Sequence, residues 1–190
     1  SILQRIEKIA QGAALMTETE VEMKVQHGCC EIRPSTKLSD LTWENMCQAP
    51  LPVYTEEELA FAKSVQDSLN PAAVNRDRAP FHTDEVLHSA IAPRDTWEVV
   101  KQTASTDAGD VSYMMPMCFF TVANLPFGVA PHTWQATAMT GSSIGAKSTL
   151  HAARILAGTA YDLLTQPETC AAILQEFKDA NVQYSPMYQE

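Results

Sequence analysis

The run "ASTDAGDVS", Ala104 to Ser112, sets two carboxylates, Asp107 and Asp110, among small residues. About twenty residues later, "PHTWQ", Pro131 to Gln135, places a histidine beside a tryptophan. Carboxylates three apart can cap a turn or the start of a helix, or one of them can polarise or orient a reacting group. A lone imidazole next to an aromatic ring is either a packed, singly hydrogen-bonded side chain or a metal ligand. Spacing alone leaves both pairs of readings open. A third stretch, "HTDEVLH", offers His82, Asp84 and His88, yet the sequence shows no supporting residues around them that would complete a metal site. A fourth, "GSSIGAKS", Gly141 to Ser148, has the look of a phosphate loop until it is counted. Three residues separate its glycines where that loop needs four, and Ala146 stands before Lys147. Gly141 and Gly145 therefore read as glycines that let the chain begin a helix at close quarters.

The remaining chemistry is limited by composition. With 13 Lys and Arg against 23 Asp and Glu, a net charge of −10 leaves no basic stripe to neutralise phosphates, so nucleic acid is excluded as an expected partner. The most apolar stretch, Tyr113 to Ala130, carries Pro116, Pro126, Asn124 and Gly128, which would leave backbone groups unsatisfied in lipid. No membrane span is expected. The start "SILQRIEKIAQ" interrupts its apolar pattern with charge, unlike a signal peptide, so the expected location is the cytoplasm. Five cysteines, Cys29, Cys30, Cys47, Cys118 and Cys170, are an odd number without C-x-x-C spacing. That fits reduced thiols better than a disulfide framework or a zinc knuckle.

These residues must be held by a framework that the hydrophobic pattern sketches. Ile2, Leu3, Ile6, Ile9, Ala10, Ala13 and Met16 recur at helical spacing, with no visible cap before them. Val21, Met23 and Val25 then alternate with Glu20, Glu22, Lys24 and Gln26, the pattern of a strand wet on one face. The parity shifts to Cys30 and Ile32, predicting a bulge at His27-Gly28, and Pro34 ends the strand. One helix and one strand cannot close a core, and the unpaired strand edges predict self-association. Leu38, Leu41, Trp43 and Met46 predict a short helix, and Thr55 with Glu58 forms a capping box for another that runs to about Asn70-Pro71. Residues 71–95 read as a long surface loop. Met117 to Val122 reads as a strand buried on both faces, Gly141 to Leu164 as an alanine-rich helix, and Pro167 to about Ala180 as a last helix. The expected class is α/β.

In this order the segments "IEKIAQGAALMTETEVEMKV", "YTEEELAFAKSVQDSL", "STDAGDVSYMMP", "PHTWQATAMTGSSIGAKS" and "AARILAGTAYDLL" together resemble the aminoacylase and glutamate-carboxypeptidase metallohydrolases, over about Ile2 to Tyr184. The resemblance implies a partial zinc-peptidase-like three-layer α/β/α catalytic domain at 35–190. Before it, at 1–34, would come the last helix and strand of a ferredoxin-like α+β lid domain, through which such proteins dimerise. It places the family's last metal-ligating histidine on His132. Its active-site turn falls on Ser105 and Thr106, lining the substrate, and on Asp107 in a catalytic role, with Asp110 as a cap or a support. His82-x-Asp84 has the form of the family's first-ligand motif but stands where the family has no ligand.

The implied cofactor is a pair of divalent cations, zinc or manganese. Such a pair needs about five or six His and carboxylate ligands, and one imidazole cannot hold it. The family's other ligands and its general-base glutamate belong to an N-terminal part absent from these residues, so the isolated chain is expected to be inactive. The implied substrate is a small-molecule amide joining an aromatic or acyl group to glutamate, such as aminobenzoyl-glutamate. The implied partners are the missing N-terminal half and a second copy in a homo-oligomer. The alternative is a non-catalytic fragment or subunit that assembles with a separate N-terminal half.

Overall fold

Ser1 supplies the cap that the sequence pattern does not reveal. Its hydroxyl accepts from the Gln4 N–H at 3.4 Å while the Gln4 side-chain oxygen accepts from the Ser1 backbone nitrogen at 2.8 Å, which opens α1 (Ile2–Thr17) with a capping box. The computed structural model describes residues 1–93 and 106–186. Within them α1 is followed by α2 (Thr36–Gln48), α3 (Glu56–Gln66), α4 (Pro71–Arg78), the short α5 (Ala108–Ser112), α6 (Trp134–Thr140), α7 (Ser143–Thr165) and α8 (Pro167–Asp179). No residue of α1 is buried, and Leu15 and Met16 are each 82% exposed, so its apolar stripe has nothing against it among the described residues.

The expected α/β class is overturned. Among the described residues the chain is helical, with neither strand nor sheet, so neither the three-layer α/β/α domain nor the ferredoxin-like lid is formed. Both stretches that read as strands are extended backbone without a ladder. Residues 19–26 are mostly exposed, and the bulge expected at His27-Gly28 has no pairing to interrupt. Residues 117–122 are not buried on both faces, since Phe119 is 64% exposed. Alternation of side chains makes an extended segment compatible with a sheet, but only a second strand supplies the hydrogen bonds that make one. The loop expected at 71–95 is corrected over 71–81, which are helical, whereas 82–93 carry neither helix nor strand and 94–95 lie outside the described residues. Asn70 caps α4 by accepting from the Ala72 N–H at 2.9 Å, and Pro71 occupies its first turn, so the dipeptide that reads as a stop is a start.

Two packed groups hold the body. Ala62 and Val65 of α3, Met139 of α6 and Ile144 of α7 close on Leu87 and Val129, with Tyr54, Leu69 and Leu125 around them. Separately, α2 lies against α7 and α8 and buries Leu41, Ile155 and Ile173. Glu176 of α8 caps α2 from outside. Its carboxylate accepts from the Ser35 hydroxyl at 2.5 Å and from the Thr36 and Lys37 N–H groups at 3.1 and 3.2 Å. Burial alone would push that carboxyl up, but these hydrogen bonds together outweigh it and hold it below its usual value.

The lysine of "GSSIGAKS" is absorbed by the fold. Lys147 donates to Glu58 at 2.6 Å and to the Val53 carbonyl at 2.9 Å, and Glu58 also accepts from Ser143 at 2.6 Å and from the Thr55 N–H at 2.7 Å. Led by the Lys147 hydrogen bond, these donors hold Glu58 at about 2, against an ordinary 4.5. A depressed folded-state value means that the unfolded chain takes up the proton first. The stabilisation is therefore complete above pH about 4.5 and disappears as pH falls to about 2. Glu58→Gln is expected to be less stable than the parent near neutral pH, with the gap narrowing through that window. A denaturant titration at several pH values in which the gap stays constant would show that the network contributes nothing.

Candidate functional site

The histidine of "PHTWQ" stands on a turn that α6 fixes in place. The Thr133 hydroxyl accepts from the Ala136 N–H at 3.2 Å and donates to the Ala130 carbonyl at 2.9 Å, capping α6 directly after His132. His132 itself is exposed and has φ of 63°, a left-handed backbone that costs a non-glycine residue about 1–2 kcal/mol. Glu18, His82 and Asn181 share this left-handed conformation. His132 borders a shallow depression of about 500 Å³ together with Thr133, Ala136, Thr137, Thr140 and Gly141.

Of the acidic turn, Ser105 lies outside the described residues. Thr106 and Asp107 precede α5. The Thr106 hydroxyl donates to the Asp107 carboxylate at 3.3 Å and accepts from the Ala108 N–H at 3.3 Å, which leaves Asp107 exposed and oriented by its neighbour. Asp107 makes no side-chain cap bond to α5. Asp110 is neither a local cap nor a free acid. Its carboxylate accepts from the Cys30 N–H at 3.1 Å, eighty residues away in sequence, and two residues on Ser112 accepts from the Arg33 N–H at 2.9 Å. The Cys30 thiol also hydrogen-bonds the Asp110 carboxylate, and that side-chain bond first, then burial, pushes the thiol above its ordinary value. The sequence holds no signal for this contact, because nothing local distinguishes an aspartate that caps from one that reaches a distant backbone.

None of the described residues 106–112 borders the depression at His132, and no described hydrogen bond or ion pair joins His132 to Asp107. The larger cleft, about 690 Å³, lies elsewhere, between the extended 118–125 segment and residues of α2 and α4. Trp43, Tyr54 and Phe127 make it largely apolar, and His88 and His151 face it. His151 is buried, with Nδ1 3.1 Å from the Pro50 carbonyl. His88 packs on Phe81, ring centroids 4.6 Å apart, and burial pushes its imidazole below the ordinary value against the charge of Glu85. In the "HTDEVLH" stretch Asp84 pairs with Arg78 at 3.7 Å, and the stretch gathers no ligand set.

The described donors fall short of the implied metal pair. Among the described residues no three His, Cys, Asp or Glu side chains converge, so these residues do not make a metal centre by themselves. His132 can supply one imidazole and Asp107 one carboxylate.

Over 196 aligned positions the sequence is 33% identical to a p-aminobenzoyl-glutamate hydrolase subunit of Escherichia coli (strain K12), a match that takes in 96% of this chain. The chain is similar in sequence to this hydrolase subunit over nearly the whole of its own length. It spans 40% of that protein's length. No protein-family model and no solved structure matches the chain. Among the described residues no helix is long and apolar enough to cross a membrane.

Proposed function

We propose that this chain is the C-terminal portion of a metal-dependent amidohydrolase that cleaves an amide between an aromatic acyl group and glutamate, in the class of p-aminobenzoyl-glutamate. The observation that carries this reading is the 33% identity to the hydrolase subunit across 96% of the chain. The exposed His132, held by the α6 cap on a left-handed turn, supports it. So does the exposed Asp107 carboxylate, which is oriented by Thr106.

Hydrolysis adds a water oxygen to the carbonyl carbon, breaks the C–N bond and delivers a proton to the departing amine. In that scheme His132 would supply one imidazole to a divalent cation, zinc or manganese, which would polarise the carbonyl and the attacking water. Asp107 accepts a hydrogen bond from the reacting water or from substrate, and Thr106 fixes the direction of its carboxylate. The remaining ligands and the general base belong to the part of the protein that this chain does not cover. The substrate subsite is completed there and in a homo-oligomer or a complex with a partner subunit.

The test is release of p-aminobenzoate from p-aminobenzoyl-glutamate. The full-length protein, loaded with zinc or manganese and supplied with any co-purifying subunit, is expected to turn over, and residues 1–190 alone are not. Turnover by residues 1–190, or none by the complete loaded assembly, would overturn the proposal. The second reading, a non-catalytic subunit that joins a separate catalytic half, draws on the absence of a converging ligand set among the described residues. It predicts that His132→Ala leaves the assembly's turnover unchanged.

A further inference from the structure

Two of the hydrogen bonds that fasten the connector after α1 to the helical body are made by the same short element that supports the Thr106–Asp107 turn, while Ser35 at its end is held by Glu176 and Met117. From the connector, the Cys30 N–H donates to Asp110 at 3.1 Å and the Arg33 N–H to Ser112 at 2.9 Å. From the turn, the Asp110 N–H donates to the Asp107 carbonyl at 3.0 Å and the Gly109 N–H to the Thr106 carbonyl at 3.1 Å. Ser112, only 1% exposed, closes the set by donating to the Gly109 carbonyl at 2.5 Å. Between the two strips of backbone there is no room for a side chain, because a Cβ on Gly109 would collide with the Cys30 carbonyl. The Arg33 guanidinium lies 5.1 Å from the centre of the Tyr113 ring, and the Ser35 N–H donates to the Met117 carbonyl at 2.7 Å, so the same docking continues along the connector.

We infer that Asp110 and Ser112 are positioning residues, through which the connector at 28–35 sets where the Thr106–Asp107 turn stands against the substrate. The inference rests on the hydrolase reading for its catalytic consequence but not for the coupling itself. A carboxylate that accepts a backbone N–H from another segment transmits displacement, since moving either strip breaks a charge-assisted bond, and the close Gly109 contact leaves no slack to absorb the shift. Among the described hydrogen bonds and ion pairs, none joins residues 1–27 to the turn directly. Where the connector goes, Asp107 follows.

The experiment compares Asp110→Ala and Asp110→Asn in the full-length, metal-loaded protein by amide hydrogen exchange and by kinetics on p-aminobenzoyl-glutamate. Asparagine keeps an oxygen to accept the Cys30 N–H and alanine does not. In Asp110→Ala, exchange at Cys30–Arg33 and at 106–112 is expected to rise together by about tenfold, the loss of one charge-assisted hydrogen bond. The kcat should fall by about ten- to a hundredfold, with KM changed less than about threefold. Asp110→Asn should recover most of both. Gly109→Ala, which forces the same two strips apart sterically, should reproduce the alanine signature. Unchanged exchange at Cys30–Arg33 in Asp110→Ala overturns the coupling whatever the activity. Faster exchange with unaltered kcat overturns the positioning role. If the unmodified protein fails to hydrolyse the amide, the hydrolase reading fails, and the exchange arm still decides the coupling.

Discussion

His132→Gly in the full-length, metal-loaded protein is expected to lower kcat/KM on p-aminobenzoyl-glutamate by at least about a hundredfold, and to lower bound metal with it. Stability should stay within about 1 kcal/mol of the parent. The imidazole is exposed and leaves no cavity, and relief of the left-handed strain at φ 63° offsets the extra freedom that glycine gives the unfolded chain. The Thr133 cap of α6 needs no part of the histidine side chain, so the turn survives the change. Loss of function without loss of fold separates a ligand from a packed side chain. Asp107→Asn keeps the shape of a side chain oriented by Thr106 and removes its charge, so its loss should be smaller, about tenfold. Asp110→Asn should cost least, because the amide oxygen still takes the Cys30 N–H. Metal content by atomic absorption and turnover by release of p-aminobenzoate check this ordering. Parent-like values for both in His132→Gly would make "PHTWQ" a turn and nothing more.

What is legible in the sequence here is what depends on neighbours within one turn. Thr55 and Glu58 mark the start of α3, and the capping box stands there. The alanine-rich face of α7 and Pro167 at the start of α8 follow from spacing alone. Local signals can also point in the wrong direction. Asn70-Pro71 ends a helix as naturally as it begins one, and only the hydrogen bond from the Ala72 N–H to Asn70 decides. The two alternating segments show a deeper limit. A period of two records which side chains want one face, but pairing is a property of two segments, and among the described residues neither segment finds the other half. Asp110 belongs to the same class of failure, since its partner lies eighty residues away and leaves no trace in the residues beside it. His132 stands out because its neighbours, proline before and a capping threonine after, build the turn that displays it.

The larger stability effect is expected where two glycines receive the same substitution. Gly145 sits in the first turn of α7 with its Cα against the backbone of Thr140, and an added Cβ would overlap the Thr140 carbonyl oxygen and lie 2.7 Å from its carbon. The three nearest atoms it meets are all main chain of Thr140, so the closest clash cannot be relieved by a side chain swinging aside. The α6–α7 junction would have to open, and that junction carries Met139 and Ile144, both fully buried in the core. Gly145→Ala is expected to cost at least about 3 kcal/mol, read as a fall in the urea midpoint at constant m. Gly12, in the middle of α1, has nothing within 4 Å of the same added atom. There alanine only removes the freedom of glycine, so Gly12→Ala should gain about 0.5–1 kcal/mol of local helix stability, visible as increased helicity of α1 by circular dichroism. Opposite signs from one substitution test the packing directly, because helix propensity alone would make both changes favourable. A Gly145→Ala protein within about 1 kcal/mol of the parent would mean that α6 and α7 do not meet as closely as the Thr140 contact requires.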